Sequence, residues 1–312
     1  MMAPTVRTIR SIRSIPGICE ARLFCGAQAR AGATPDLLLE VPHGATRARH
    51  FETLRAELLG ELPDDLIAFF LVNTDTGAPE YAAALAQRLV DEEPTRTVLL
   101  LASEIPRTFI DCNRVIDSSP EEPGELRAGK VTPGLPPYIR DPRDRARLRS
   151  LHEGWVSESA AAYELVCGQG GLAVMAHTYA PRSVDVEVDD QIVQSLRRAW
   201  QPEVEKTWPL RPQIDLIARD PAGRILSEPL VQRVAAELGA AGFETAISGT
   251  YQLHPSTLAY RHINRYQPRV VCLEVRRDLL VDRFAPFEEL PIAKAKVERV
   301  VAPLVRALRA SW

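Results

Sequence analysis

Short apolar runs of strand length alternate along this chain with segments of helical periodicity, and that alternation limits the folds open to it. Residues 37–41, 66–72, 97–102, 172–176, 214–218, 245–248 and 270–275 read as strands, several of them apolar enough to be buried on both faces. Between them, Tyr81, Leu85 and Leu89 mark a helix over 79–90, and Leu148, Leu151 and Trp155 mark one over 143–162. Residues 191–200 are also helical. Leu230, Val234 and Leu238 form a stripe closed by Gly239, and 293–310 is a terminal helix with Val297, Val300, Val301, Leu304 and Leu308 inward. The Pro- and Gly-rich stretch 120–142 reads as a long loop. Strands alternating with helices imply an α/β sheet with helices on both faces. Residues 37–312 are expected to form a single α/β domain, preceded over 1–36 by an extension that is partly disordered or a hairpin.

Composition narrows the function classes. A chain of 312 residues with 46% hydrophobic and 25% charged residues can bury a large core without staples. A net charge of −3 excludes a strongly basic nucleic-acid footprint. No apolar run is long enough to span a membrane, so neither nucleic acid nor membrane is an expected partner. The five cysteines form no Cys-x-x-Cys pair, and free thiols suit a cytoplasmic protein. The Arg-rich start, residues 1–14, lacks the apolar region of a secretory signal. There is no Gly-x-Ser-x-Gly nucleophile elbow. The Gly168–Gly171 run precedes a strand instead of following one, so it is not a phosphate cradle. Asp75-Thr76-Gly77-Ala78 matches an aspartic-protease signature, but that chemistry needs a second carboxylate copy that the sequence lacks.

In open α/β sheets ligands bind beyond the carboxyl ends of the strands. His43, Asp75, Arg107 and His177 each follow an expected strand, and Glu274 sits near the end of one. Two imidazoles and a carboxylate can hold a metal with one position open, a further carboxylate can take a proton from water, and a guanidinium can stabilise an oxyanion. Each has a plainer reading as a loop residue or ion-pair partner; for Glu274 that partner would be Arg276 or another arginine. The run Arg107-Thr108-Phe109-Ile110-Asp111-Cys112-Asn113-Arg114 places two guanidiniums around an Asp and an Asn, a pattern suited to clamping a carboxylate.

That run resembles the Arg…Asp-x-Asn-Arg segment of the N-formylglutamate amidohydrolase family, within the zinc carboxypeptidase and aspartoacylase superfamily. Pro42-His43-Gly44, Asp75-Thr76-Gly77, His177-Thr178 and Leu273-Glu274-Val275-Arg276-Arg277-Asp278-Leu279 are similar to that family's other blocks and occur in its order, over roughly residues 37–285. The resemblance implies a three-layer α/β/α fold with a central mixed sheet, zinc-carboxypeptidase-like (phosphorylase/hydrolase-like). It implies a zinc-dependent amidohydrolase that binds one Zn2+ ion and cleaves an N-formyl or N-acyl amide of an amino-acid-like substrate bearing a carboxylate.

Carried over by residue, the resemblance makes His43 and His177 zinc ligands, has Arg107 polarise the scissile carbonyl, has Asn113 and Arg114 hold the substrate carboxylate, and makes Glu274 the general base. Related carboxypeptidases have a Glu three residues after the first His, where this chain has Thr46. The carboxylate ligand is therefore assigned to Asp75, with Glu52, Asp64 and Asp65 as alternatives. His152, His254 and Tyr251 are further substrate-binding candidates, His254 and His262 lying in a presumed loop ahead of the last strand, and His50 is read as a surface residue. The expected partner is a small-molecule carboxylate or short peptide, with the oligomeric state open. The rival readings are a carboxypeptidase-like peptide hydrolase and a metal-free carboxylate-binding protein on the same fold.

Overall fold

The computed structural model describes residues 12–116 and 134–312 and is built on one mixed sheet of seven strands. The first residues of the expected N-terminal extension, and residues 120–133 of the expected loop, lie outside the described residues. The strands are β1 (Cys19–Cys25), β2 (Leu37–Val41), β3 (Thr97–Ser103), β4 (Leu172–Tyr179), β5 (Ile214–Leu216), β6 (Thr245–Ile247) and β7 (Val270–Arg276), in the spatial order β1-β3-β2-β4-β7-β5-β6. Neighbours run parallel from β3 through β2 and β4 to β7, whereas β1 and β5 pair antiparallel with β3 and β7. The domain's sheet therefore begins before Leu37: the expected extension contributes an edge strand.

The period of two along each strand divides the core into two layers. Leu37, Leu39 and Val41 of β2 point to one face, where they meet α3 (Ala78–Glu92), α7 (Glu228–Ala240) and α9 (Lys294–Arg309). Leu38 points to the other, which is covered by α1 (Ala48–Arg55), α2 (Leu66–Asn73), α4 (Pro142–Val166), α5 (Ile192–Ala199) and α8 (Leu258–Arg265). A short helix, α6 (Pro202–Glu205), buries no residue. Glu40 shares the face of Leu38. Its carboxyl is buried, accepts from Ser159 Oγ at 2.6 Å and Tyr163 OH at 2.9 Å, and is raised above its ordinary pKa by desolvation. No helix among the described residues is long and apolar enough to cross a membrane.

Two expectations fail here. Residues 66–72 are not a strand but most of helix α2. A run apolar on all sides carries no periodicity, so a buried helix and a buried strand read alike. The tertiary setting decides: Phe70 packs on Phe51 of α1, ring centroids 5.5 Å apart. His262 does not lie in a loop but in helix α8, where it stacks on Tyr163 at 3.9 Å. The segment is short and polar, and its start is set by Thr257, whose side chain accepts from the Tyr260 N–H.

Candidate metal centre

Because β2, β4 and β7 are parallel, their carboxyl ends share one edge of the sheet. His43 is the second residue after β2, and His177 lies near the end of β4, in register with Glu274 of β7. The turn after β2 fits only because residue 44 is glycine: a Cβ there would lie 2.7 Å from the Ser103 carbonyl oxygen and 2.9 Å from Ala102 Cβ. Asp75 reaches the same edge from a different direction. Helix α2 ends at Asn73, Thr74 is extended, and Asp75 lies two residues before the Gly77 N-cap of α3.

The three side chains meet in the interior. Asp75 Oδ2 lies 3.2 Å from His43 Nδ1 and 2.9 Å from His177 Nδ1, and the imidazole centroids are 4.9 Å apart. One ligand atom from each residue falls within 4.8 Å of the other two, and all three residues are buried. Two imidazole nitrogens and one carboxylate oxygen, with fewer than four protein donors, fit a divalent metal that keeps an open position. Glu52, Asp64 and Asp65 are exposed and outside the cluster, so among the alternatives only Asp75 stands with the histidines.

Neighbouring charges hold the donors in place. His43 Nε2 is 2.8 Å from Asp111 Oδ1, and Arg107 donates to Asp111 Oδ2 at 2.9 Å and Asp75 Oδ1 at 3.4 Å. Arg277, also buried, has Nη2 4.0 Å from Asp75 Oδ1. Burial alone would raise both aspartates, but His43 and His177 around Asp75, and Arg107 and His43 around Asp111, hold each well below the usual carboxylate range. For His43, burial and the Arg107 charge depress the imidazolium, while Asp111 and Asp75 raise it and prevail.

Glu274 has no ion pair among the described residues, and its Oε2 is buried without a hydrogen-bond partner. Arg276, its expected structural partner, instead binds Asp278 at 2.8 Å. Desolvation pushes the Glu274 carboxyl up to about 7, with Asp75 adding to the rise and His177, Arg211 and Arg107 opposing it. The Nε of Arg107 is likewise buried and unpartnered. Unsatisfied buried polar atoms are uncommon, and a ligand that completes the bonding is one reason for them.

The remaining candidates fall around this core. The Asn113 amide is turned inward: Oδ1 accepts from the Ala259 N–H at 2.9 Å, and Nδ2 lies 3.5 Å from His177 Nε2. Arg114 is half-buried, its backbone bridged to Thr257. His152 is buried behind it, with Nε2 2.9 Å from the Arg114 carbonyl oxygen, and burial lowers its pKa. His254 is half-buried and bonds Ser256 Oγ at 2.7 Å. Tyr251 is exposed, with its hydroxyl accepting from Arg211 at 2.7 Å. His50 is half-buried, not fully at the surface, and its Nδ1 accepts from the Arg47 N–H.

The sequence did not reveal the Asp111–His43 contact, which links residues 68 positions apart, nor the approach of Arg277 to Asp75. No local signal marks either one.

Neither a protein-family model nor a curated protein matches the sequence. The fold has solved counterparts. The chain is similar to the crystal structure of an N-formylglutamate amidohydrolase from Ralstonia eutropha JMP134, with a TM-score of 0.56 and 19% identity over 95% of this chain and 97% of that one. It is also similar to the gene product Atu2144 from Agrobacterium tumefaciens, with a TM-score of 0.52 and 17% identity over 94% of each chain. The α/β/α fold expected from the sequence is thus the observed one.

Proposed function

We propose that this chain is a zinc-dependent amidohydrolase that cleaves the N-formyl or N-acyl amide of an amino-acid-like substrate bearing a carboxylate. The observation that carries this reading is the buried His43–Asp75–His177 donor set beside a buried, unpartnered Glu274 oxygen. The likeness to a solved N-formylglutamate amidohydrolase supports the choice of reaction.

His43 Nδ1, His177 Nδ1 and Asp75 Oδ2 would hold the ion. When bound, zinc supplies a Lewis acid for the carbonyl and lowers the pKa of water at the site. The residues of the chain do the rest. Glu274, with its pKa raised to about 7 by burial, takes the proton of the attacking water and returns it to the leaving amine. Arg107, fixed by Asp111 and Asp75, presents positive charge where the carbonyl oxygen becomes anionic. Arg114 receives the substrate carboxylate, with His152 steadying its backbone. Asn113 braces His177 and the start of α8.

The test is a metal assay followed by a substrate panel. Purified protein should bind close to one zinc per chain, and the zinc-loaded protein should hydrolyse N-formyl or N-acetyl amino acids faster than dipeptides. Failure to bind zinc, even when supplemented, would overturn the reading in favour of a metal-free carboxylate binder. Faster cleavage of dipeptides would make it a peptide hydrolase.

A further inference from the structure

Arg277 has no place in the chemistry proposed above, yet its guanidinium is buried at the junction of three segments. Nη1 donates to the Val72 carbonyl at 2.6 Å, at the end of helix α2, one turn before Asp75. Nε and Nη2 donate to Oγ1 and the carbonyl of Thr178, both at 3.4 Å, next to His177. Thr178 Oγ1 in turn donates to the Thr76 carbonyl at 3.0 Å, and the Thr178 N–H faces Asp75 Oδ2 at 3.3 Å. A guanidinium removed from water this completely is costly unless hydrogen bonds and a counter-charge compensate it, as these contacts do.

The two oxygens of Asp75 face different partners. Oδ1 faces the two guanidiniums, with Arg107 Nη1 at 3.4 Å and Arg277 Nη2 at 4.0 Å. Oδ2 faces the two imidazole nitrogens. We propose that Arg277 is the positioning residue of the metal centre: it anchors the 72–76 connection through Val72 and Thr178 and adds its charge on the Oδ1 side that Arg107 binds, so that Asp75 offers Oδ2 alone to the ion. A single carboxylate oxygen leaves a coordination position open, whereas a carboxylate free to turn could supply both oxygens and close it. This inference rests on the metal reading above.

The test needs no turnover. Zinc affinity by chelator competition, and the visible absorption of the cobalt(II)-substituted protein, are compared for wild type, Arg277→Met, Arg277→Lys and Thr178→Val. Folded Arg277→Met should bind zinc roughly 10–100-fold more weakly, the range for removing a partner of a ligand. Its cobalt band should weaken and shift as the coordination number rises. Arg277→Lys, which keeps charge without the fork, and Thr178→Val, which removes one anchor, should each lose roughly 3–10-fold, scaled down from that same range. If Arg277→Met folds with wild-type affinity and spectrum, Arg277 is merely structural and the proposal fails. If Arg277→Met does not fold, the other two variants decide, and wild-type affinity in both overturns it. A wild type that binds neither metal would instead sink the metal reading itself.

Discussion

His43 Nε2 lies 2.8 Å from Asp111 Oδ1, on the edge of the ring opposite Asp75. A ring nitrogen that donates to a carboxylate fixes the tautomer, leaving the lone pair on the other nitrogen for a metal and making that nitrogen a stronger base. Asp111→Asn keeps the shape and removes the charge. Zinc affinity should drop roughly 10–100-fold while the fold is kept. Unchanged affinity in a chelator titration would show that Asp111 serves Arg107 and the Asn113 N–H and does not act through His43.

Glu274→Gln gives two opposed readouts. Loss of the base should lower kcat by roughly 10²–10⁴-fold. Stability should move the other way. A carboxyl whose folded pKa is raised to about 7 is best accommodated protonated. Its contribution is present at acid pH and is lost as pH rises through about 7. At pH 8 the Gln variant, which never ionises, should therefore be more stable than wild type by roughly 1–3 kcal/mol in urea unfolding of the metal-free protein, and the gap should close below pH 5. A variant less stable than wild type at pH 8 would mean that Glu274 has a stabilising partner.

Arg107→Met should lower kcat by roughly 10²–10³-fold with a smaller change in KM, because its charge matters most when the carbonyl oxygen becomes anionic. A change confined to KM, measured on the same N-acyl substrate, would move Arg107 from stabilising the transition state to binding the ground state.

Gly44→Ala tests the turn that delivers His43. Its Cβ would collide with the backbone of Ser103 and with Ala102. The expected loss is about 1–3 kcal/mol, as for overpacked sites, together with weaker zinc binding as the His43 turn shifts. A variant that melts like wild type would show that the end of β3 yields without strain.

The sequence was most legible where burial is symmetrical. β2, β4 and β7 are nearly continuous apolar runs, so their starts and the polar residues near their ends could be read; β4 nevertheless runs past the expected residue 176 to Tyr179 and contains His177, and the structure brings His43, His177 and Glu274 to one edge of the sheet. β1 escaped notice because it is a half-exposed edge strand carrying Glu20 and Arg22. Helix α2 reads as a strand because residues 66–72 are apolar on every side. Asp75 therefore follows a helix and not the expected strand. Contacts such as Asp111 with His43, or Arg277 with Asp75, are set by tertiary packing, and in a chain with 34 arginines nothing local marks Arg277 as the one that approaches Asp75.

The donors of the candidate centre are far apart along the chain: Asp75 is 32 residues beyond His43, and His177 is 102 beyond Asp75. A compact ligand motif can seize an ion while the rest of the chain is still unfolded. Here each donor arrives on a separate element, and bringing them together requires closing long loops whose entropy is offset only when the sheet and its helices form. The site is thus a product of completed folding and cannot nucleate it. Zinc added to the refolding chain should slow unfolding and leave the refolding rate unchanged.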